Sequence, residues 1–132
     1  MKNLKKTVSI FFLLFGIVGS IFPVSLSQLK IIAEDGTFLG TFADKYSKNS
    51  IYNKYGNYGS PYTSNSIFNK YGNYGSDYSK YSPFNAYTNY GPLLVDSYGN
   101  SYGRLSINKY APGVTNDSYK IALALKVLRD AL

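Results

Sequence analysis

The stretch Leu29-Lys-Ile-Ile-Ala-Glu-Asp-Gly-Thr-Phe-Leu-Gly-Thr-Phe42 carries the clearest folding signal of this chain. Two runs of apolar and β-branched residues, Leu29–Glu34 and Thr37–Phe42, stand on either side of Asp35-Gly36. An Asp-Gly pair between such runs is typical of a tight hairpin turn, because glycine accepts a positive φ angle at no steric cost. The stretch therefore predicts a β-hairpin.

A second hairpin of related design follows further along the chain. Pro92–Ser97 and Ser101–Ile107 surround Tyr98-Gly99-Asn100, and aligning Gly36 with Gly99 also aligns Gly40 with Gly103. A lone hairpin is marginal in water, whereas four strands with one apolar face persist. We therefore expect the two hairpins to pair into one antiparallel sheet. The core candidates are Ile31, Phe38, Phe42, Leu94, Leu105 and Ile107.

Glycine recurs at one place in the two return strands, as Gly40 and Gly103. A glycine inside a strand indicates a bulge or the close approach of another backbone. Loose strand packing without functional meaning is the alternative.

The end of the chain, residues 116–132, has the pattern of a helix. Its first turn offers Asn116 or Asp117 as the cap, because either side chain accepts from unpaired backbone N–H groups. Apolar residues recur at helical spacing, which predicts that the helix packs across the sheet. The stripe is Ile121, Leu125, Leu128 and Leu132, and Lys126, Arg129 and Asp130 lie away from it. Leu123 and Val127 broaden the apolar surface, so a dimer or membrane contact stays open.

Between the hairpins, residues 49–92 repeat a sixteen-residue unit. The copies are Asn49–Ser64, Asn65–Lys80 and the divergent Tyr81–Pro92. Ser50 and Ser66 are placed to cap short helical turns. In such a turn Ile51 and Tyr55 would share a face, and Gly56 and Gly72 would take left-handed conformations at its end.

Together these patterns predict an α+β fold. A small antiparallel sheet of two related β-hairpins holds an irregular Tyr/Asn/Gly-rich repeat insert, and a helix ends the chain. We expect residues 1–27 to be a secretory signal peptide and residues 28–132 to be a single small domain. Its parts are the first hairpin (28–48), the repeats (49–92), the second hairpin (93–115) and the helix (116–132).

The N-terminal segment predicts secretion. Lys2, Lys5 and Lys6 precede the apolar run Ile10–Val18, and Ser25-Leu26-Ser27 matches the small-x-small pattern of signal peptidase sites. Cleavage after Ser27 is the expectation. An uncleaved anchor is the alternative, because the segment approaches the ~20 residues that span a bilayer. With cleavage, we expect no stable membrane insertion.

The composition restricts the catalytic and metal-binding chemistry open to this chain. The sequence has no Cys and no His, which disfavours triad, zinc and iron–sulfur chemistry. Only a carboxylate pair among seven acidic residues leaves hydrolysis open. Residues 28–132 carry 11 Lys and Arg (14 less three) against 7 Asp and Glu, a net charge of +4. We therefore expect no enzyme, no cofactor, no metal and no nucleic-acid partner.

The repeat resembles small secreted bacterial proteins with Asn-Ser-Ile-x-Asn-x-Tyr-Gly-x-Tyr-Gly-Ser repeats. The matching segments are Asn49–Tyr62, Asn65–Tyr78, Phe38–Phe42 and Tyr102–Leu105. The resemblance implies a secreted bacterial protein and assigns no site.

Repeated tyrosines point to a recognition surface, since their rings stack while their hydroxyls hydrogen-bond. The candidate ligand-binding residues are Tyr55, Tyr58, Tyr71, Tyr74, Tyr87, Tyr90, Asn57 and Asn73. A cell-wall glycan or another surface protein is the expected partner, and a filler role in a loop-rich core is the alternative. Two other functions stay open, namely structural self-assembly, with the chain itself as partner, and membrane action through the C-terminal helix.

Overall fold

The computed structural model describes residues 24–132, and most of the predicted signal peptide, residues 1–23, lies outside them. The elements are a short 3₁₀ helix (Leu26–Gln28), strands β1 (Lys30–Ile32), β2 (Phe38–Thr41), β3 (Leu93–Val95) and β4 (Ser101–Arg104), and helix α1 (Asn116–Asp130). This α+β composition confirms the predicted fold class.

The four strands form one antiparallel sheet in the order β2-β1-β3-β4. The two hairpins meet through their first strands, where Lys30 faces Val95, Ile31 faces Leu94 and Ile32 faces Leu93. The predicted pairing of the hairpins into one sheet is therefore confirmed.

Gly40 and Gly103 both lie at register shifts of the return strands and have φ angles of 107° and 123°. A Cβ atom on Gly40 would lie 2.8 Å from the Tyr58 Cβ and 3.0 Å from the Asn49 carbonyl oxygen. One on Gly103 would lie 3.2 Å from side-chain atoms of Ser118 and Thr115. The expected irregularity and close approach both occur, so Gly40 admits the repeat and Gly103 admits the start of α1.

The core draws on every part of the described chain. Ile31, Phe42, Leu94 and Leu105 are buried as predicted. Phe38 and Ile107 are only partly buried. Ile107 packs against the core at its margin, whereas Phe38 does not belong to it. Alternation across the irregular β2 strand places Leu39 inside instead. The repeat and helix supply Ile51, Ile67, Phe68, Phe84, Ile121, Ala122, Leu125 and Leu128.

Helix α1 begins at Asn116 as predicted, but its N-cap is Thr115 rather than Asn116 or Asp117. The Thr115 hydroxyl accepts the backbone N–H of Ser118 at 3.0 Å, and the Thr115 backbone N–H donates to the Ser118 hydroxyl at 2.9 Å. This reciprocal capping satisfies two otherwise unpaired groups, which neither Asn116 nor Asp117 does here. Leu132 lies beyond the last turn and is 55% exposed, so it leaves the predicted buried stripe.

Arg129 corrects a second expectation about the helix, because its side chain is buried rather than facing solvent. Its Nη1 donates to the Gly75 carbonyl at 2.6 Å, and its Nη2 lies 2.7 Å from the Asp77 carboxylate. The guanidinium carbon also lies 4.7 Å from the centre of the Phe84 ring. Arg129 therefore ties the end of α1 to the second and third repeats.

Residues 49–92 are built from turns and bends, without a helix. Ile51 is 1% exposed whereas Tyr55 is 88% exposed, so these two side chains do not share a face. Gly56 and Gly72 are not among the glycines with positive φ. The expected helical turns were wrong, because each Ser hydroxyl instead closes a local turn by accepting the N–H two residues later.

Leu26 is 1% exposed and belongs to the core. A chain cleaved after Ser27, as the sequence predicts, would lack this side chain. Filling a site of this kind with leucine contributes about 2–5 kcal/mol to folding relative to alanine.

Candidate functional site

Exposed tyrosine is the dominant surface feature of residues 24–132. Eight of these side chains are between 83% and 94% exposed, although tyrosine is ordinarily half-buried. We call them the presented tyrosines: Tyr46, Tyr55, Tyr62, Tyr71, Tyr78, Tyr87, Tyr98 and Tyr110. Their rings offer apolar faces and free phenol groups to solvent.

One local hydrogen bond recurs at every presented tyrosine. The backbone N–H of Tyr71 donates to the Asn69 Oδ1 at 3.0 Å, and that of Tyr78 donates to the Ser76 hydroxyl at 3.1 Å. In each case the acceptor is the side chain two residues earlier, an Asx or Ser turn. The acceptors at the other six are Asp44, Asn53, Ser60, Asn85, Asp96 and Asn108. The turn orders the backbone while the ring stays in water.

The same turn occurs at Tyr52 and Tyr81, which are partly buried. The bond therefore sets the local backbone direction and does not by itself decide exposure.

The repeat asparagines also connect one turn to the previous one. The Nδ2 groups of Asn53, Asn69 and Asn85 donate to carbonyl oxygens six residues earlier, at 3.2, 3.0 and 3.0 Å. Asn108, in the second hairpin unit, donates instead to a carbonyl twenty residues earlier, that of Thr88, at 2.9 Å. The Oδ1 of each asparagine accepts from the tyrosine two residues later, and its Nδ2 donates to an earlier carbonyl. Each amide therefore fixes the backbone on both sides of the asparagine.

The candidate residues divide by location. Tyr55, Tyr71 and Tyr87 are presented, and Tyr90 is 43% exposed. Tyr58 instead packs edge-to-face on Phe38, with ring centres 4.9 Å apart.

Tyr74 is likewise docked against the first hairpin. Its hydroxyl donates to the Asp35 carboxylate at 2.7 Å and lies 3.1 Å from the Thr37 hydroxyl. The Tyr74 hydrogen bond, with those from Thr37, holds the pKa of the Asp35 carboxyl below its usual value. Tyr58 and Tyr74 therefore attach the repeats to the sheet.

Asn57 and Asn73 are exposed and occupy equal places in the first two repeats. Their backbone carbonyls accept the hydroxyls of Thr63, at 2.6 Å, and Ser79. Both residues are therefore accessible to a partner.

The ligand-binding residues predicted from the sequence do not include five of the presented tyrosines, Tyr46, Tyr62, Tyr78, Tyr98 and Tyr110. Their signal is present in the sequence as Asp, Asn or Ser two places before Tyr. The same spacing occurs within the repeats, at Tyr62 and Tyr78, and in the two hairpin units, at Tyr46, Tyr98 and Tyr110.

Lysine ammonium groups lie close to several of these rings. Lys45, Lys54 and Lys109 are 5.4, 5.5 and 5.4 Å from the ring centres of the tyrosines that follow them. Such cation–π contacts are worth about 0.5–1 kcal/mol at exposed sites. The surface is therefore aromatic and cationic together.

A cleft of about 810 Å³ lies between the first repeat and the end of α1. Tyr46 and Tyr55 line it together with Ile51, Phe68 and Leu128. Its volume falls within the range of ligand pockets, and aromatic walls over an apolar floor are their usual lining.

A metal site and a membrane-spanning helix are two other possibilities for residues 24–132. No group of three or more His, Cys, Asp or Glu side chains there is placed to hold a metal ion. Within the same residues, no helix has the length and apolar content needed to cross a bilayer.

Comparisons with family models, with curated proteins and with solved structures found no match for this chain.

Proposed function

We propose that this protein is a secreted, non-enzymatic binding module that contacts a cell-wall glycan through its presented tyrosines. One observation carries the proposal: eight tyrosine rings are more than 80% exposed, and a hydrogen bond holds the backbone of each. Tyrosine rings held in solvent in this way offer stacking faces and hydroxyl groups to a partner.

Glycan is the favoured partner because sugar rings have apolar faces rimmed by hydroxyl groups. A tyrosine ring stacks on the apolar face while its own hydroxyl hydrogen-bonds at the rim. Tyr55, Tyr71 and Tyr87 recur every sixteen residues, and a polymer with repeating units meets such an array more than once. The lysines beside the rings favour polymers that carry negative charge.

Binding is tested by calorimetry and by pull-down with peptidoglycan and purified wall polysaccharides. A variant carrying Tyr55→Ala, Tyr71→Ala and Tyr87→Ala is expected to lose about tenfold or more in affinity, because each stacking contact is worth about 0.5–1.5 kcal/mol. Its matched control carries Leu123→Ala and Val127→Ala, which remove exposed apolar groups of α1 and leave every presented tyrosine in place.

Amide NMR spectra with and without wall fragments locate the contact. Signals of the presented tyrosines should shift, and those of the central strands β1 and β3 should not. Failure of the unmodified protein to bind any of these polymers would end the glycan proposal.

Membrane action through the helix has weaker support. Ile121, Leu125 and Leu128 are buried against the core, so the main apolar stripe of α1 is already used. Only Leu123 and Val127 remain exposed on its outer side.

A further inference from the structure

The sequence contains few side chains that oxidants attack other than tyrosine. It has no Cys, no Trp and no His, its single Met is Met1, and it has 15 tyrosines. Thiols and thioethers are the usual first targets of biological oxidants. In residues 24–132 both are absent from the sequence, so the phenol groups become the principal targets.

The fold places eleven of these fifteen phenols in two contrasting groups. The presented tyrosines expose their hydroxyls and the neighbouring ring carbons to solvent. By contrast, the hydroxyls of Tyr74 and Tyr102 donate to the Asp35 and Asp96 carboxylates at 2.7 and 2.9 Å. The Tyr52 hydroxyl is buried, and burial raises its pKa. Only the first group is open to collision with a second protein molecule.

We propose that the presented tyrosines are sites of oxidative coupling, through which copies of this chain become joined by dityrosine bonds. The co-reactant is hydrogen peroxide, and the catalyst is a haem peroxidase. The proposal concerns the same surface as glycan binding but does not depend on it.

The step balances as follows in atoms and electrons. Each of two phenols loses one electron and one proton, and hydrogen peroxide accepts both pairs to become two water molecules. The two phenoxyl radicals combine, forming one carbon–carbon bond between the ring positions next to oxygen. Each coupled carbon then releases its proton, and each oxygen takes one up, which restores two phenols.

The fold leaves the presented rings accessible to a second copy of the chain. Local hydrogen bonds hold the backbone at each presented tyrosine, as at Tyr71 and Tyr78, so the rings project from an ordered surface. The sequence has no Cys, and dityrosine bonds would supply covalent links that disulfides supply elsewhere.

The purified protein is treated with hydrogen peroxide and a haem peroxidase, and products are followed by denaturing gel, dityrosine fluorescence and mass spectrometry of digests. We expect covalent dimers and larger oligomers whose links map to presented tyrosines such as Tyr71 and Tyr78. A variant with Phe at all eight presented positions keeps the rings but cannot form phenoxyl radicals. Its oligomer yield should fall by about fivefold or more, because susceptibility follows exposure.

The control variant carries Tyr58→Phe, Tyr81→Phe and Tyr119→Phe, and it should couple like the unmodified protein. Amide NMR spectra establish that both variants are folded. Equal yield from the eight-Phe variant, links mapped to Tyr52 or Tyr74, or products confined to one chain would each overturn the proposal. Oligomer formation without measurable wall binding would keep it while ending the glycan proposal.

Discussion

Tyr71 and Tyr74 lie three residues apart in one repeat, and each is followed by glycine, yet they face opposite surroundings. Tyr71 is 94% exposed, with its N–H bonded to Asn69. Tyr74 is half-buried, and its hydroxyl binds Asp35 of the first hairpin. One residue type in one repeat therefore performs two tasks. Tyr71 presents its ring to solvent, and Tyr74 attaches the repeat to the first hairpin.

We expect the largest loss of stability from a substitution at Gly40, where the first repeat contacts the sheet. Gly40→Ala combines an unfavourable φ angle with contacts of 2.8 to 3.0 Å, so we expect a loss of about 3 kcal/mol in the free energy of unfolding. Urea denaturation provides the measurement. Gly36→Ala is the control, since Gly36 has φ of 90° but open space around it, and should cost about 1 kcal/mol. Equal losses would mean that strain, and not close approach, governs Gly40.

Replacing each tyrosine in turn tests whether Tyr74 stabilises the fold and Tyr71 does not. Tyr74→Ala removes a packed ring and a carboxylate hydrogen bond, and should destabilise the fold by about 2 kcal/mol. Tyr71→Ala should change stability by no more than about 0.5 kcal/mol, because its ring lies in water. The same denaturation measurement applies. A large effect at Tyr71 would contradict its assignment to presentation.

The smallest effect concerns the titration of Asp35. Its pKa lies below its ordinary 3.8 in the folded protein, so the bond to Tyr74 contributes stability above that pH. This contribution is lost as pH falls through the folded pKa. Tyr74→Phe should raise the pKa of Asp35 towards 3.8, as followed by NMR of the carboxyl carbon. Tyr71→Phe should leave it unchanged, and an equal shift in both variants would refute the assigned cause.

The hairpin sheet was predictable because its signals are local. Asp35-Gly36 and Tyr98-Gly99-Asn100 mark turns, and the matched positions of Gly40 and Gly103 indicated irregular strands before the structure did. The helix was predictable from its apolar spacing, although its first cap was misplaced. The burial of Arg129 was not predictable, because a charged side chain ordinarily faces solvent. It is buried here because a group far away in the sequence, the Gly75 carbonyl, accepts its hydrogen bond.

The repeat was predicted least well in its local conformation. Ser50 and Ser66 were interpreted as helix caps, but Ser and Asn side chains here compete with helical hydrogen bonding by closing turns over two residues. The same side chains explain why eight tyrosines share one backbone arrangement.

The amino-acid sequence alone determined the two hairpin turns, the sixteen-residue period and the Asx or Ser turn before each presented tyrosine, because these depend on residues within a few positions of one another. The tertiary structure decided which tyrosines are docked and which are presented. Burial depends on the sheet and helix that reach each ring: Phe38 meets Tyr58, Asp35 meets Tyr74, and nothing in residues 24–132 covers Tyr71. Such contacts join segments far apart in the chain, and no local pattern encodes them.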